Sequence, residues 1–249
     1  MADVPRLQAF LRAVAGAGRT VAPAPPFVVF IDERDPLRYL NYAVPEGDVD
    51  PTQAEVERLR RAFRERTRLP RLEWIEELAP RLAPALAACG MREELETPLM
   101  ACAPGDLRPV PAVEGEPEVS GVGPSDRRDL VTVQREAFGL AALPQGEEAP
   151  DPRAHGGDAV LARIGGEAVA AASRTAVIDG VAEIGGVATA RAWRRRWLAG
   201  LVTRAAAKAA FESGASLLVL SPGDASAQGV YARAGFRPAA TILHWSDPD

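Results

Sequence analysis

The chain has 249 residues, of which 47% are hydrophobic and 25% charged, with a formal net charge of −5 and a sequence pI near 5.3. That length suits one large domain or two of ordinary size, and the composition is that of a globular protein in water. The acidic balance argues against nucleic acid as the main partner, because a phosphate backbone is gripped by a basic excess.

No apolar run resembles a signal peptide or reaches membrane-spanning length, so a cytoplasmic protein with no membrane partner is expected. Cys89 and Cys102 show no metal-ligand spacing with His155 or His244, and neither a structural metal nor a disulfide is expected.

In chain order, PFVVFIDERDPLRYLNYAVP (26–45) predicts two strands around an Asp-Pro turn. DPTQAEVERLRRAFRERT (50–67) predicts a helix capped by Asp50, with Pro51 in its first turn and Val56, Leu59 and Phe63 on one side. Its mixed-charge face reads as solvated surface. RLEWIEE (71–77) predicts a strand, LAPRLAPALAACGM (78–91) a helix ending at Gly90, and REELETPLMACA (92–103) another strand. APGDLRPVPAVEGEP (103–117) is rich in Pro, Gly and charge without an apolar period, which is the pattern of a linker.

Beyond the linker, SDRRDLVTVQREAFG (125–139) predicts an amphipathic helix capped by Ser125. LPQGEEAPDPRAHGG (143–157) reads as a long loop. The stretch 158–189 predicts three strands joined by turns at Gly165-Gly166 and Asp179-Gly180. Next comes WRRRWLAG (193–200), three arginines between two tryptophans. Such a cluster suits a single strand of nucleic acid, a membrane surface or a phosphate. The helix it opens places Leu198, Leu201, Val202, Ala205 and Ala209 on one face, and Arg204, Lys208 and Glu212 on another. SLLVLS (216–221) reads as a buried strand, DASAQGVYARAGF (224–236) as a helix between Asp224 and Gly235, and RPAATILHW (237–245) as a strand closing the second half. The class is mixed α/β. Both LAACGM with TPLMACA and YARAGF with TILHW run helix, glycine, apolar residue, strand, which suggests a diverged internal duplication.

Three pieces of the second half, spanning roughly 118–245, resemble the GNAT superfamily of N-acyltransferases. AEIGGVAT is similar to that family's strand with an acidic residue and an apolar end. RRRWLA falls on its pyrophosphate pattern Gln/Arg-x-x-Gly-x-Gly/Ala. DASAQGVYARAGF is similar to its Asn-x-x-Ala-x-x-x-Tyr-x-x-x-Gly-Phe helix. The resemblance implies a GNAT-type fold in two GNAT-like domains: a degenerate one over 1–105, a linker over 106–117 and an acetyltransferase domain over 118–249.

It also implies acetyl-CoA as co-substrate and a small-molecule or protein amine as acceptor. Transfer is then by direct attack in a ternary complex, in a monomer or homodimer. Glu183 would take the amine proton and Tyr231 would donate to the departing thiolate. Val187, Ala188 and Thr189 would line the pantetheine arm. Arg194, Arg195, Arg196, Trp197, Leu198, Ala199 and Gly200 would hold the pyrophosphate, and Asp224, the cap of the following helix, would also belong to the cofactor site. Gly185-Gly186 would suit a bulge that aims an amide near Val187 at the thioester carbonyl.

The residues also allow plainer roles: Glu183 as a surface carboxylate, Tyr231 as packing for Phe236, Trp193 as a core edge. Trp197 stands where the family has glycine. Either the indole swings aside and the amides still bind, or it fills the cradle and leaves a catalytically silent binding module.

Overall fold

A computed structural model describes residues 3–248. In chain order its elements are α1 (Val4–Gly16), β1 (Thr20–Ala24), β2 (Phe27–Ile31), β3 (Tyr42–Pro45), α2 (Gln53–Arg64), β4 (Arg71–Ile75), α3 (Leu82–Ala88) and β5 (Arg92–Cys102). They continue with β6 (Glu118–Gly121), α4 (Arg127–Ala137), β7 (Asp158–Ile164), β8 (Glu167–Arg174), β9 (Val181–Thr189), α5 (Leu198–Glu212), β10 (Leu217–Leu220), α6 (Ala225–Ala234) and β11 (Arg237–Ser246). The class is mixed α/β with a mixed sheet, as the sequence predicts. The chain forms two compact units, one running to Leu99 and resuming at Pro238, the other covering Met100–Arg237.

In the first unit the strand order is β1-β2-β3-β4-β11-β5, with β3 and β4 parallel. The last strand therefore closes the first unit rather than the second, and a boundary that leaves 118–249 in one piece is corrected. The physical reason is the ladder from Ile242↔Ile75 to Ser246↔Arg71, which carries Leu243 and Trp245 into the core beside Trp74. Helix α2 is capped by Thr52, not by Asp50: the Thr52 hydroxyl accepts from the Glu55 N–H, and Glu55 Oε2 accepts from the Thr52 N–H at 2.7 Å. Such a reciprocal box satisfies two of the amides that a helix start leaves open.

In the second unit the order is β5-β10-β9-β8-β7-β6, β5 entering through Met100–Cys102. Only β9 and β10 pair in parallel among its registers. Helix α5 buries Leu198, Val202, Thr203, Ala206, Ala207 and Ala210, a face rotated from the expected one. Helix α4 starts at Arg127 after a turn in which Asp126, not Ser125, accepts the Gly123 N–H at 3.0 Å.

The proline-rich segment after β5 is packed rather than free. Leu107 and Val113 lie on the core of this unit, and the Arg108 N–H donates to Ala234 O at 3.0 Å. Gly235 ends α6 at φ +110, where a Cβ would stand 2.0 Å from Asp106 O. Gly235→Ala is expected to destabilise the protein by about 2 kcal/mol through that strained backbone alone. A thermal melt should drop by roughly 5 °C. An unchanged melt would show that the end of α6 accepts a side chain at this φ and that the Asp106 carbonyl gives way to it.

Candidate active site

The cleft arises from how two parallel strands part. Strands β9 and β10 pair only at Val181–Leu217, Ala182–Leu218 and Glu183–Val219. Strand β10 then ends at Leu220, while β9 runs on to Thr189 with no further β10 partner. A cavity of about 820 Å³ opens there. One wall is Ile184, Gly185, Gly186, Val187, Ala188 and Thr189; the other is Ser221, Gly223, Asp224 and the α6 residues Val230, Tyr231 and Arg233. Arg194, Arg195, Trp197, Leu198, Ala199 and Gly200 line it from the start of α5, and Ala137 and Phe138 from the end of α4.

The bulge expected at Gly185-Gly186 is present. Ser173 pairs with Gly185 and Ala171 with Ala188, so Gly186 and Val187 stand together opposite Ala172. Gly186 has φ +56, a left-handed value that favours glycine.

The start of α5 is an open donor site. No side chain caps it, and its first backbone bond is Leu201 N–H to Trp197 O at 3.0 Å. The N–H groups of Leu198, Ala199 and Gly200 therefore have no acceptor within the helix, at its positive dipole end.

Of the three consecutive arginines, Arg194 is turned to the carbonyls of Thr189 at 3.4 Å and Ala137 at 3.2 Å. Arg196 lies over the Trp193 ring, 4.9 Å from its centroid, and does not line the cavity. Arg195 lines the cavity and makes no ion pair or hydrogen bond among the described residues.

Trp197 has φ +65. Left-handed backbone costs a side-chain-bearing residue about 1–2 kcal/mol, a second reason for glycine in the motif. Its indole reaches toward α6, with the Arg233 guanidinium 5.0 Å from the ring centroid, and remains 41% exposed.

Tyr231 is buried against Phe236, ring centroids 6.4 Å apart, yet still lines the cavity. Burial, helped by the charge of Asp224, pushes its phenol up to about 12. Asp224 caps α6 by accepting the Ala227 N–H at 2.7 Å, the role expected of it.

Glu183 lies deeper on β9, where its N–H donates to Thr175 Oγ1 at 2.9 Å and its carbonyl accepts the Thr175 N–H at 3.0 Å. It is half-buried and does not line the cavity.

Of the residues named from the sequence, the cavity thus gathers all but Glu183 and Arg196. Phe138 and Arg233 were missed. Arg233 could have been found, because it sits one helical turn from Gly229 and near Tyr231 on the motif helix.

The model of the acetyltransferase (GNAT) family matches residues 128–236. A GCN5-related N-acetyltransferase from Kribbella flavida is similar over 100% of this chain and 97% of its own, at 34% identity and a TM-score of 0.84. A GCN5-related N-acetyltransferase from Sphaerobacter thermophilus shares the fold over 89% of this chain and 76% of its own, at 18% identity and a TM-score of 0.65. A tandem GNAT protein from the clavulanic acid biosynthesis pathway shares it over 90% and 79%, at 14% identity and a TM-score of 0.63. No curated protein matches.

Proposed function

The chain belongs to the GNAT family of acetyltransferases, and on that footing we propose that its second unit transfers an acetyl group from acetyl-CoA to a primary amine. The observation that carries this reading is the uncapped start of α5 opening into the cleft where β9 and β10 part. Three free amides, the helix dipole and the unpaired Arg195 together suit a pyrophosphate. The uncovered edge Ile184–Thr189 offers backbone groups to an extended pantetheine arm.

In the reaction proposed, a neutral amine attacks the thioester carbonyl carbon directly. The N–C bond forms, the C–S bond breaks, the amine loses a proton and the thiolate leaves as CoA. Tyr231 stands beside the leaving sulfur. Glu183, outside the cavity, takes the amine proton through water rather than by contact. The acceptor is a small molecule or a protein amine, and the chain acts in the cytoplasm as a monomer or homodimer.

The first unit is read as a degenerate GNAT-like half that binds no acetyl-CoA. The start of its α2 is already occupied by the Thr52–Glu55 box, and the Glu55 carboxylate bonded to the Thr52 N–H would repel a phosphate.

A second reading keeps the fold without the chemistry. The Trp197 indole lines the cavity, and if it blocks the pyrophosphate the chain is a binding module. Release of free thiol from acetyl-CoA over a panel of amines tests the enzyme reading. Amine-dependent release is expected, and none with any amine class would favour the silent module.

A further inference from the structure

Gln134, on the inner side of α4, is absent from the cavity lining yet touches the part of β9 on which the chemistry depends. Its Nε2 donates to Gly186 O at 2.9 Å and to Ser173 Oγ at 3.0 Å. Both amide hydrogens are thereby used, one on each strand flanking the bulge. A Cβ at Gly186 would come within 2.3 Å of that Nε2. A residue without a side chain on β9 and a long amide on α4 are thus fitted to one another. Helix α4 is itself fixed by Leu130 and Val133, which are buried against the sheet, so the amide is presented from a rigid support.

Resting on the acetyltransferase reading, we propose that Gln134 is a positioning residue: it holds the β9 bulge so that the Val187 N–H meets the thioester carbonyl oxygen. The Gly186 carbonyl and the Val187 N–H belong to one planar peptide unit. Fixing the direction of the carbonyl therefore fixes that of the N–H. A bulged peptide lacks the cross-strand partner that normally sets its tilt, and Gln134 supplies the missing anchor. A donor aimed before the substrate arrives is worth more than one that must be turned during the reaction.

The test separates the carbonyl contact from the rest of cofactor binding. The full chain is titrated with acetyl-CoA and with S-ethyl-CoA, a thioether that keeps the CoA body but has no carbonyl oxygen. The wild type is expected to prefer acetyl-CoA by about 2- to 10-fold, the worth of one hydrogen bond. Gln134→Leu should leave the affinity for S-ethyl-CoA unchanged and abolish the preference, a difference that general loosening of the fold would not produce. Gln134→Asn, with the same amide one methylene too short, should lose it as well and decides the matter if the leucine variant does not fold. A preference retained in a folded variant, or no preference in the wild type, overturns the assignment while leaving the acetyltransferase reading intact. If the wild type binds neither ligand, that reading fails and this one with it.

Discussion

Replacing Tyr231 by phenylalanine is expected to lower the rate constant of acetyl transfer by roughly 100-fold, with acetyl-CoA binding nearly unchanged. The phenyl ring would keep the edge contact with Phe236 and the buried volume. Only the hydroxyl is lost, and it has no hydrogen-bond partner among the described residues. With its pKa pushed up to about 12 by burial, the phenol stays protonated throughout the range in which a protein works. Giving the proton up entirely to a thiolate of ordinary basicity would be uphill by about 5 kcal/mol. Tyr231 is therefore expected to stabilise the departing sulfur by a hydrogen bond rather than by full transfer. Its own titration should leave no alkaline limb in the rate profile until the pH approaches 12. Single-turnover kinetics on both proteins provide the check, and a variant as fast as the wild type would remove Tyr231 from the chemistry.

The largest stability effect is expected in the first unit, where Arg71→Ala should cost about 3–5 kcal/mol. The Arg71 side chain is 1% exposed. It pairs with Glu73, donates to Glu94 Oε2 at 2.8 Å and lies 3.0 Å from His244 Nδ1, whose ring meets Thr97 Oγ1 at 3.2 Å through Nε2.

Burial alone would raise Glu73, but the His244 hydrogen bond and the Arg71 charge outweigh it and hold the carboxyl below its usual range. Burial likewise works against Glu94, and the Arg71 hydrogen bond reverses it. Depressed carboxyl values contribute stability that is present above the unfolded pKa and lost as the pH falls through the folded one. The wild type should thus weaken only under acid, below about pH 4. In the variant the half-buried Glu73 and Glu94 lose their shared guanidinium and are left with His244 at 3.4 Å and Arg38 at 3.2 Å, so it should recover part of its deficit as the pH falls and the carboxylates take up protons. Urea unfolding at several pH values measures this. A variant as stable as the wild type at neutral pH would mean the carboxylates find other partners or water.

What could be read from the sequence follows how local the signal was. The turns at Gly165-Gly166 and Asp179-Gly180, the Gly90 and Gly235 stops and the Asp224 cap all sit within a few residues of their cause, and all appear in the structure. The apolar face of α5 is ambiguous in the sequence because its middle and end carry five alanines, Ala205, Ala206, Ala207, Ala209 and Ala210, so several stripes look equally apolar; burial of Thr203, whose hydroxyl bonds Ala199 O at 2.7 Å, is not visible in the pattern.

The partner of the last strand was out of reach because a strand's register depends on a surface more than 160 residues away, here β4. In the site, the motif residues on β9, α5 and α6 were legible because their chemistry is local to each element. Gln134 and Phe138 were not, since their roles come only from what the fold sets beside them.

The open start of α5 is expected to hold the pyrophosphate of acetyl-CoA. Calorimetric titration of the full chain with acetyl-CoA, alongside Trp197→Gly and Arg195→Ala, tests it most directly. Micromolar binding by the wild type is expected, weakened in Arg195→Ala and equal or tighter in Trp197→Gly, where the left-handed backbone no longer carries a side chain. Binding by Trp197→Gly alone would mean that the indole closes the site and the chain acts as a binding module. Silence from all three proteins would contradict the account.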